Sequence, residues 1–241
     1  MEIRIQIARA LSYSLAEAKY QLAQIFTNIL QSKLIKMNIQ SILSALLLTI
    51  SIATAKDTEW ISLFDGKTTN GWTPRVEVTE FKAVDGELHL ISKKNVWVVS
   101  DLKLGDFILE AEAKMPEGKI NSGIGFRLTG DTGKPKGYQC EIMDAIPGKN
   151  GGMYGIGIGG WIYPAKGQEA EFEKRVKNVV KRNDWNKYKV HCEGKRIRIY
   201  VNDKLITDTE HDKNLSGAFG IQHHGGNAGM MKFRNLRVKK L

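Results

Sequence analysis

Cysteine is scarce: the 241-residue chain has two, Cys140 and Cys192. Neither belongs to a Cys-x-x-Cys pair and no His-rich run accompanies them, which excludes a zinc module or dithiol motif of recognisable spacing. Long apolar runs are also missing. The run Ile42 to Ile52 is too short to favour a membrane span, and no cysteine follows it to carry a lipid anchor. There is no internal repeat, no low-complexity linker and no sign of a second folded domain after residue 55. Acidic residues are in deficit, 26 against 36 basic ones, for a net charge of +10. Residues 1–55 carry five basic and two acidic side chains, which leaves a net +7 for the rest. The bases are scattered or gathered at the tail (Arg234, Arg237, Lys239, Lys240), so the excess reads as solvated strand edges, and nucleic acid is not expected as a partner.

What is present begins with a targeting signal. Lys33 and Lys36 precede the apolar run, and Ala53-Thr54-Ala55 ends it in a small-x-small pattern. This reads as a signal peptide over 37–55, starting at Met37, which makes the protein exported, periplasmic or extracellular, with no membrane attachment after cleavage. Residues 1–36 then read as upstream extension; the rival reading is an N-terminal helix, from the apolar spacing between Leu15 and Leu30. Residues 56–241 are long enough for one domain with a sizeable core. Export permits a disulfide, but Cys140 shares the apolar phase of Ile142 and Cys192 that of Val190, which favours two buried thiols.

The exported region is a series of short alternating segments between Gly, Asn and Asp turns, the pattern of an all-β sandwich or barrel. Phe81–Val84 and Glu87–Ile91 flank Asp85-Gly86, a hairpin signal. Phe107 to Met115, Trp185 to Cys192, Arg196 to Val201, Leu205 to Thr209, Ala218 to His224 and Met230 to Val238 continue it. Gln168 to Lys181 departs from the rhythm: Phe172, Val176 and Val179 form a helical stripe, expected to pack on a sheet edge or to wall a site. It follows an aromatic, glycine-rich loop, Gly155 to Tyr163.

Two segments carry the candidate site. In Asn121 to Leu128, Ile124, Phe126 and Leu128 take one face, and Asn121, Gly123, Gly125 and Arg127 the other. In Tyr138 to Ile142, Tyr138, Cys140 and Ile142 oppose Gln139 and Glu141. A face of glycines, an arginine, amides and a carboxylate suits a small hydroxyl-rich molecule, and the glycines are expected to open space for it. Gln222 and His224 share a polar phase opposite Phe219 and Ile221, while His223 falls on the apolar phase.

These residues sit among a longer set: Leu63-Phe64-Asp65-Gly66-Lys67, Val84-Asp85-Gly86-Glu87-Leu88, Asn121-Ser122-Gly123-Ile124, Gly137-Tyr138-Gln139, Gly151-Gly152-Met153-Tyr154, Gly160-Trp161-Ile162-Tyr163-Pro164, Asp184-Trp185-Asn186 and Gly220-Ile221-Gln222-His223-His224-Gly225. Each is weak alone; in this order they resemble the 3-keto-disaccharide hydrolase-like domain family. The resemblance implies a concanavalin-like jelly-roll sandwich of two antiparallel sheets. It implies an exported enzyme acting on an oxidised di- or oligosaccharide, in which a C3 ketone makes the C2 proton acidic. Elimination of the C1 aglycone and hydration then give net hydrolysis.

That chemistry needs a base near C2–H, a donor at the C3 oxygen and an acid for the leaving oxygen. Glu141 is the first candidate for base or ligand; a structural ion pair with Arg127 is its alternative. Asp144 reads as an acid/base or an Asx-turn former, and His224 as a proton carrier or a turn residue. Arg127 suits the electrophilic role. Asn121, Gln139, Tyr154, Trp161 and Gln222 are expected to contact the sugar, with Tyr163 a further stacking candidate and Trp72 and Trp185 in the core. No metal ligand set has a diagnostic spacing, although Glu141, Asp144 and His224 would suit a divalent metal ion as cofactor. A lectin-like binding module and a conventional glycoside hydrolase are the competing functions.

Overall fold

The computed structural model describes residues 17–33, 59–118, 120–143, 148–226 and 229–241. Chain contacts divide into two units, 1–57 and 58–241. In the first, residues 17–33 form helix α1, with Tyr20, Leu22, Ile25, Phe26, Ile29 and Leu30 exposed. The signal-peptide segment 37–55 lies outside the described residues. None of the described helices is long and apolar enough to cross a membrane.

The second unit is a two-sheet antiparallel jelly-roll sandwich. One sheet runs β13 (Lys204–Glu210), β12 (Arg196–Val201), β11 (Asn186–Glu193), β6 (Phe107–Lys114), β15 (Met231–Lys240), β4 (Glu87–Ile91) and β3 (Glu80–Val84), with β1 (Trp60–Ser62) also on β15. The other runs β10 (Gly160–Tyr163), β9 (Met153–Ile156), β8 (Lys136–Met143), β7 (Asn121–Thr129), β14 (Gly217–His223), β5 (Val96–Leu104) and β2 (Trp72–Pro74). Turn chemistry fixes the register. Asp85 and Gly86 both take positive φ and close the β3–β4 hairpin, and Asn202 and Asp203 do the same for β12–β13.

The core lies between the sheets. Phe107, Phe126 and Phe219 pack edge to face, with centroids 6.5 Å and 4.9 Å from Phe107. Each such buried aromatic contributes roughly 2–3 kcal/mol from apolar burial. Cys140 and Cys192 are free, buried thiols within this core, as their phase suggests. Trp72 is buried, its Nε1 donating to the Leu63 carbonyl at 2.7 Å. Trp185 is not a core residue: it is half-buried beneath the Arg234 guanidinium, 4.0 Å from the ring centroid.

Of the helical stripe expected over Gln168 to Lys181, Phe172 and Val176 lie in α2 (Glu169–Val176), while Val179 follows the helix in a turn. Its Phe172 enters the core against Tyr163, and Arg175 donates to the Tyr163 hydroxyl and the Ile206 carbonyl, both at 2.9 Å. The helix therefore packs against β13. Tyr163 belongs to that packing, which removes it from the stacking role. The glycine-rich "loop" is the β9–β10 hairpin, closed at Ile156–Gly160.

Candidate functional site

The outward face of the seven-stranded sheet is not uniformly polar. Trp97, Val99, Leu128, Ile156 and Ala218 form a second apolar cluster there, with Tyr154 against it. Beside it lies a hollow of about 250 Å³ lined by Asn95, Trp97, Asn121, Lys134, Gln139, Glu141, Tyr154, Ile156, Trp161, Gln222 and His224. Strand register explains the gathering. Glu141 pairs with Gly123, Gly123 with Gln222 and Gln222 with Trp97, one row across four strands. Tyr154, Gln139, Gly125 and Gly220 form the next row. Side chains of a row share a face because they share the pleat.

The glycines do a different job from the one expected. A Cβ on Gly123 would stand 2.6 Å from Gln139 Cγ, and one on Gly125 2.7 Å from both Leu128 Cδ1 and Trp97 Cζ3. Their missing side chains admit the protein's own Gln139, Leu128 and Trp97 rather than leaving open space for a ligand. The glycines form a close-packed floor.

An amide row crosses that floor. Gln222 Nε2 donates to Asn95 Oδ1 at 3.0 Å. Gln139 Nε2 lies 2.8 Å from Glu141 Oε2, 3.3 Å from Gln222 Oε1 and 3.3 Å from the Ser122 carbonyl. Having two hydrogens, it serves two of these acceptors at a time. Glu141 is 3% exposed and its Oε1 has no hydrogen-bond partner. Burial pushes its pKa up to about 8, against the opposing effects of the Gln139 hydrogen bond and the Lys149 charge. A carboxyl of this kind holds its proton at neutral pH and becomes a competent base slightly above it.

The rim is aromatic and basic. Tyr154 and Trp161 meet edge to face at 5.4 Å, and the Lys149 ammonium lies 4.1 Å from the Trp161 ring centroid. His224 is exposed at the rim; its Nδ1 lies 2.9 Å from the Gly225 carbonyl, and its backbone N–H donates to the Asn121 carbonyl at 3.3 Å. His223 is buried, with Nε2 2.9 Å from the Gly229 carbonyl.

Arg127 is the main correction. It has φ of +49° at a bulge where pairing shifts between Phe126 and Thr129. The bulge reverses the alternation, so Leu128 joins the outward cluster and Arg127 is fully buried away from the hollow. Its Nε donates to the Gly105 carbonyl at 2.9 Å and its Nη2 to Asp106 Oδ1 at 3.1 Å. It pairs with Asp106, not Glu141, and the electrophilic role assigned to it is withdrawn. Asp144 lies outside the described residues. Among the described residues no group of three His, Cys, Asp or Glu is placed to hold a metal ion.

Four lining residues escaped sequence reasoning, one of them Ile156, inside the glycine-rich segment. Trp97 sits in Val96-Trp97-Val98-Val99-Ser100, buried on both faces, so no alternation marked it. Asn95 and Lys134 lie in loops outside the strand pattern.

A larger hollow of about 810 Å³ lies on the other sheet. Three of its carboxylates are already engaged: Glu110 by Arg237 at 2.6 Å, Glu112 by Arg234 at 2.7 Å and Asp65 by the Lys67 and Thr68 backbone. It offers less chemistry than the smaller one.

Residues 59–239 match the model of the 3-keto-alpha-glucoside-1,2-lyase-like domain. Two proteins from Parabacteroides distasonis ATCC 8503, provisionally described as glycosyl hydrolases, share the fold. One has a TM-score of 0.56 at 17% identity, covering 77% of this chain and 95% of its own. The other has a TM-score of 0.54 at 22% identity, covering 76% and 100%. The exoplasmic/lumenal domain of VIP36, in its Ca²⁺/Man3GlcNAc-bound form, has a TM-score of 0.50 at 10% identity, covering 75% and 88%. No curated protein matches the chain.

Proposed function

The chain belongs to the 3-keto-alpha-glucoside-1,2-lyase-like domain family, and on that premise we propose that it cleaves glycosides oxidised at C3. The observation that carries the reading is Glu141, a buried carboxyl with one unpartnered oxygen in a hollow of amides and aromatic rings. A ketone at C3 acidifies C2–H. Glu141, once ionised, takes that proton; the electron pair forms the enolate and then the C1–C2 double bond as the C1–oxygen bond breaks. The leaving oxygen takes a proton, for which His224 at the rim is the assigned donor. Addition of water across the double bond, hydrogen to C2 and hydroxyl to C1, returns a 3-keto sugar. Asn121 and Gln222 suit the ring hydroxyls, and Tyr154 and Trp161 an apolar ring face.

The sequence before the domain supports export, through the apolar run Ile42 to Ile52 and the Ala53-Thr54-Ala55 pattern. A conventional glycosidase needs two carboxyl groups flanking the scissile bond. Among the described residues Glu141 is the only carboxylate lining the hollow, which disfavours that route. The second reading, a sugar-binding module without turnover, draws on the Tyr154–Trp161 pair and the amide row. Incubation with a 3-keto-disaccharide and with its unoxidised parent separates the three. Turnover of the keto sugar alone supports the proposal, binding without turnover supports the module, and cleavage of the parent supports the conventional hydrolase.

A further inference from the structure

Resting on the sugar-site reading above, we infer that the ligand of this hollow carries an anionic group, as an acidic sugar or a phosphorylated or sulfated one does. Two ammonium groups border the hollow. Lys134, on the loop between β7 and β8, lines it and is exposed. Lys149 lies over Trp161, itself a lining residue. Several cations elsewhere on these sheets have carboxylate partners within a few ångströms: Lys195 with Glu210 at 2.8 Å, Arg196 with Asp208 at 2.8 Å, Arg234 with Glu112 at 2.7 Å and Lys232 with Glu87 at 3.2 Å. Lys134 and Lys149 form no such ion pair among the described residues.

The acidic groups near them do not cancel this charge. Glu141 is the hollow's one carboxylate among the described residues, and burial holds it protonated at neutral pH. Glu169, at the start of α2, feels Lys149 but is fully exposed, and Lys166 acts on it too. Two cations beside apolar walls focus a positive potential into the hollow, which favours a ligand of opposite charge. A lysine ammonium is a point charge with rotatable donors, suited to a carboxylate, phosphate or sulfate without a fixed fork.

The test is a fluorescence titration of the full chain, using the lining residues Trp97 and Trp161 as reporters. The probes are methyl glucoside, glucuronate, glucose 6-phosphate and glucose 6-sulfate. At least one anionic sugar is expected to bind about tenfold more tightly than methyl glucoside, with the margin lost near about 1 M salt. Lys134→Gln and Lys149→Gln are each expected to reduce that margin severalfold, and Lys134→Arg to retain it. Equal binding of neutral and anionic probes overturns the inference and leaves the sugar site standing. Binding of none of the four also overturns the inference, whereas the keto-sugar reading is decided separately by turnover of the 3-keto-disaccharide. Which anionic probe binds best identifies the group recognised.

Discussion

Gln139 donates from Nε2 to Glu141 Oε2 across 2.8 Å, two residues along one strand, and leaves the second carboxylate oxygen unpartnered. The pair has a thermodynamic signature. Glu141 keeps its proton in the folded chain up to about pH 8, whereas the unfolded chain loses it near the ordinary value of 4.5. Below about pH 4 both states are protonated and the group contributes no difference. Between the two values the folded state holds the extra proton, so stability falls as pH rises, and above pH 8 a constant penalty of up to about 5 kcal/mol remains. Glu141→Gln removes the ionisation. Its thermal midpoint should exceed that of the wild type by several degrees at pH 9 and nearly match it at pH 4; equal differences at both pH values would refute the buried-acid assignment.

The same acid sets the rate. With Glu141 as base, kcat/KM on a 3-keto-glycoside should climb about tenfold per pH unit through the neutral range and level off near the pKa of about 8. A profile flat from pH 6 to 9 would assign the base to another group.

Gly123→Ala probes the floor. The added Cβ would stand 2.6 Å from Gln139 Cγ, so Gln139 must leave its place beside Glu141. A stability loss of about 1–2 kcal/mol is expected, with a fall in activity of about tenfold or more. The comparison of urea midpoints with keto-sugar turnover checks it, and full activity would show that Gln139 is dispensable.

Arg127 should behave oppositely. Arg127→Met removes the donors to Gly105 and Asp106 and is expected to cost about 2 kcal/mol in denaturant unfolding. That is below the cost of orphaning a fully buried charge, because the Asp106 side chain is 44% exposed. Sugar binding by the folded variant should match the wild type; selective loss of turnover would return Arg127 to the site.

Period-two alternation made most of the sandwich legible, since strands such as β6 and β11 bury alternate residues against one core. It could not mark β5, whose first five residues are buried on both faces, or the short β9–β10 hairpin, where glycines obscure the pattern. Within the site, Gln139, Glu141, Gln222 and His224 were placed on one surface by parity, and the register brings all four to one hollow. Arg127 failed because a bulge adds one residue to the count, and nothing in Phe126-Arg127-Leu128 announces a positive φ. The acidity of Glu141 was equally hidden, since it follows from burial by neighbouring strands.

The most direct measurement is hydrogen–deuterium exchange at C2 of a 3-keto-glycoside in D₂O, followed by proton NMR with wild-type protein and Glu141→Gln. The wild type should remove the C2 proton signal at a rate that rises toward pH 8, and the variant should leave it intact. Exchange at the same rate in both would contradict Glu141 as the base that opens the reaction.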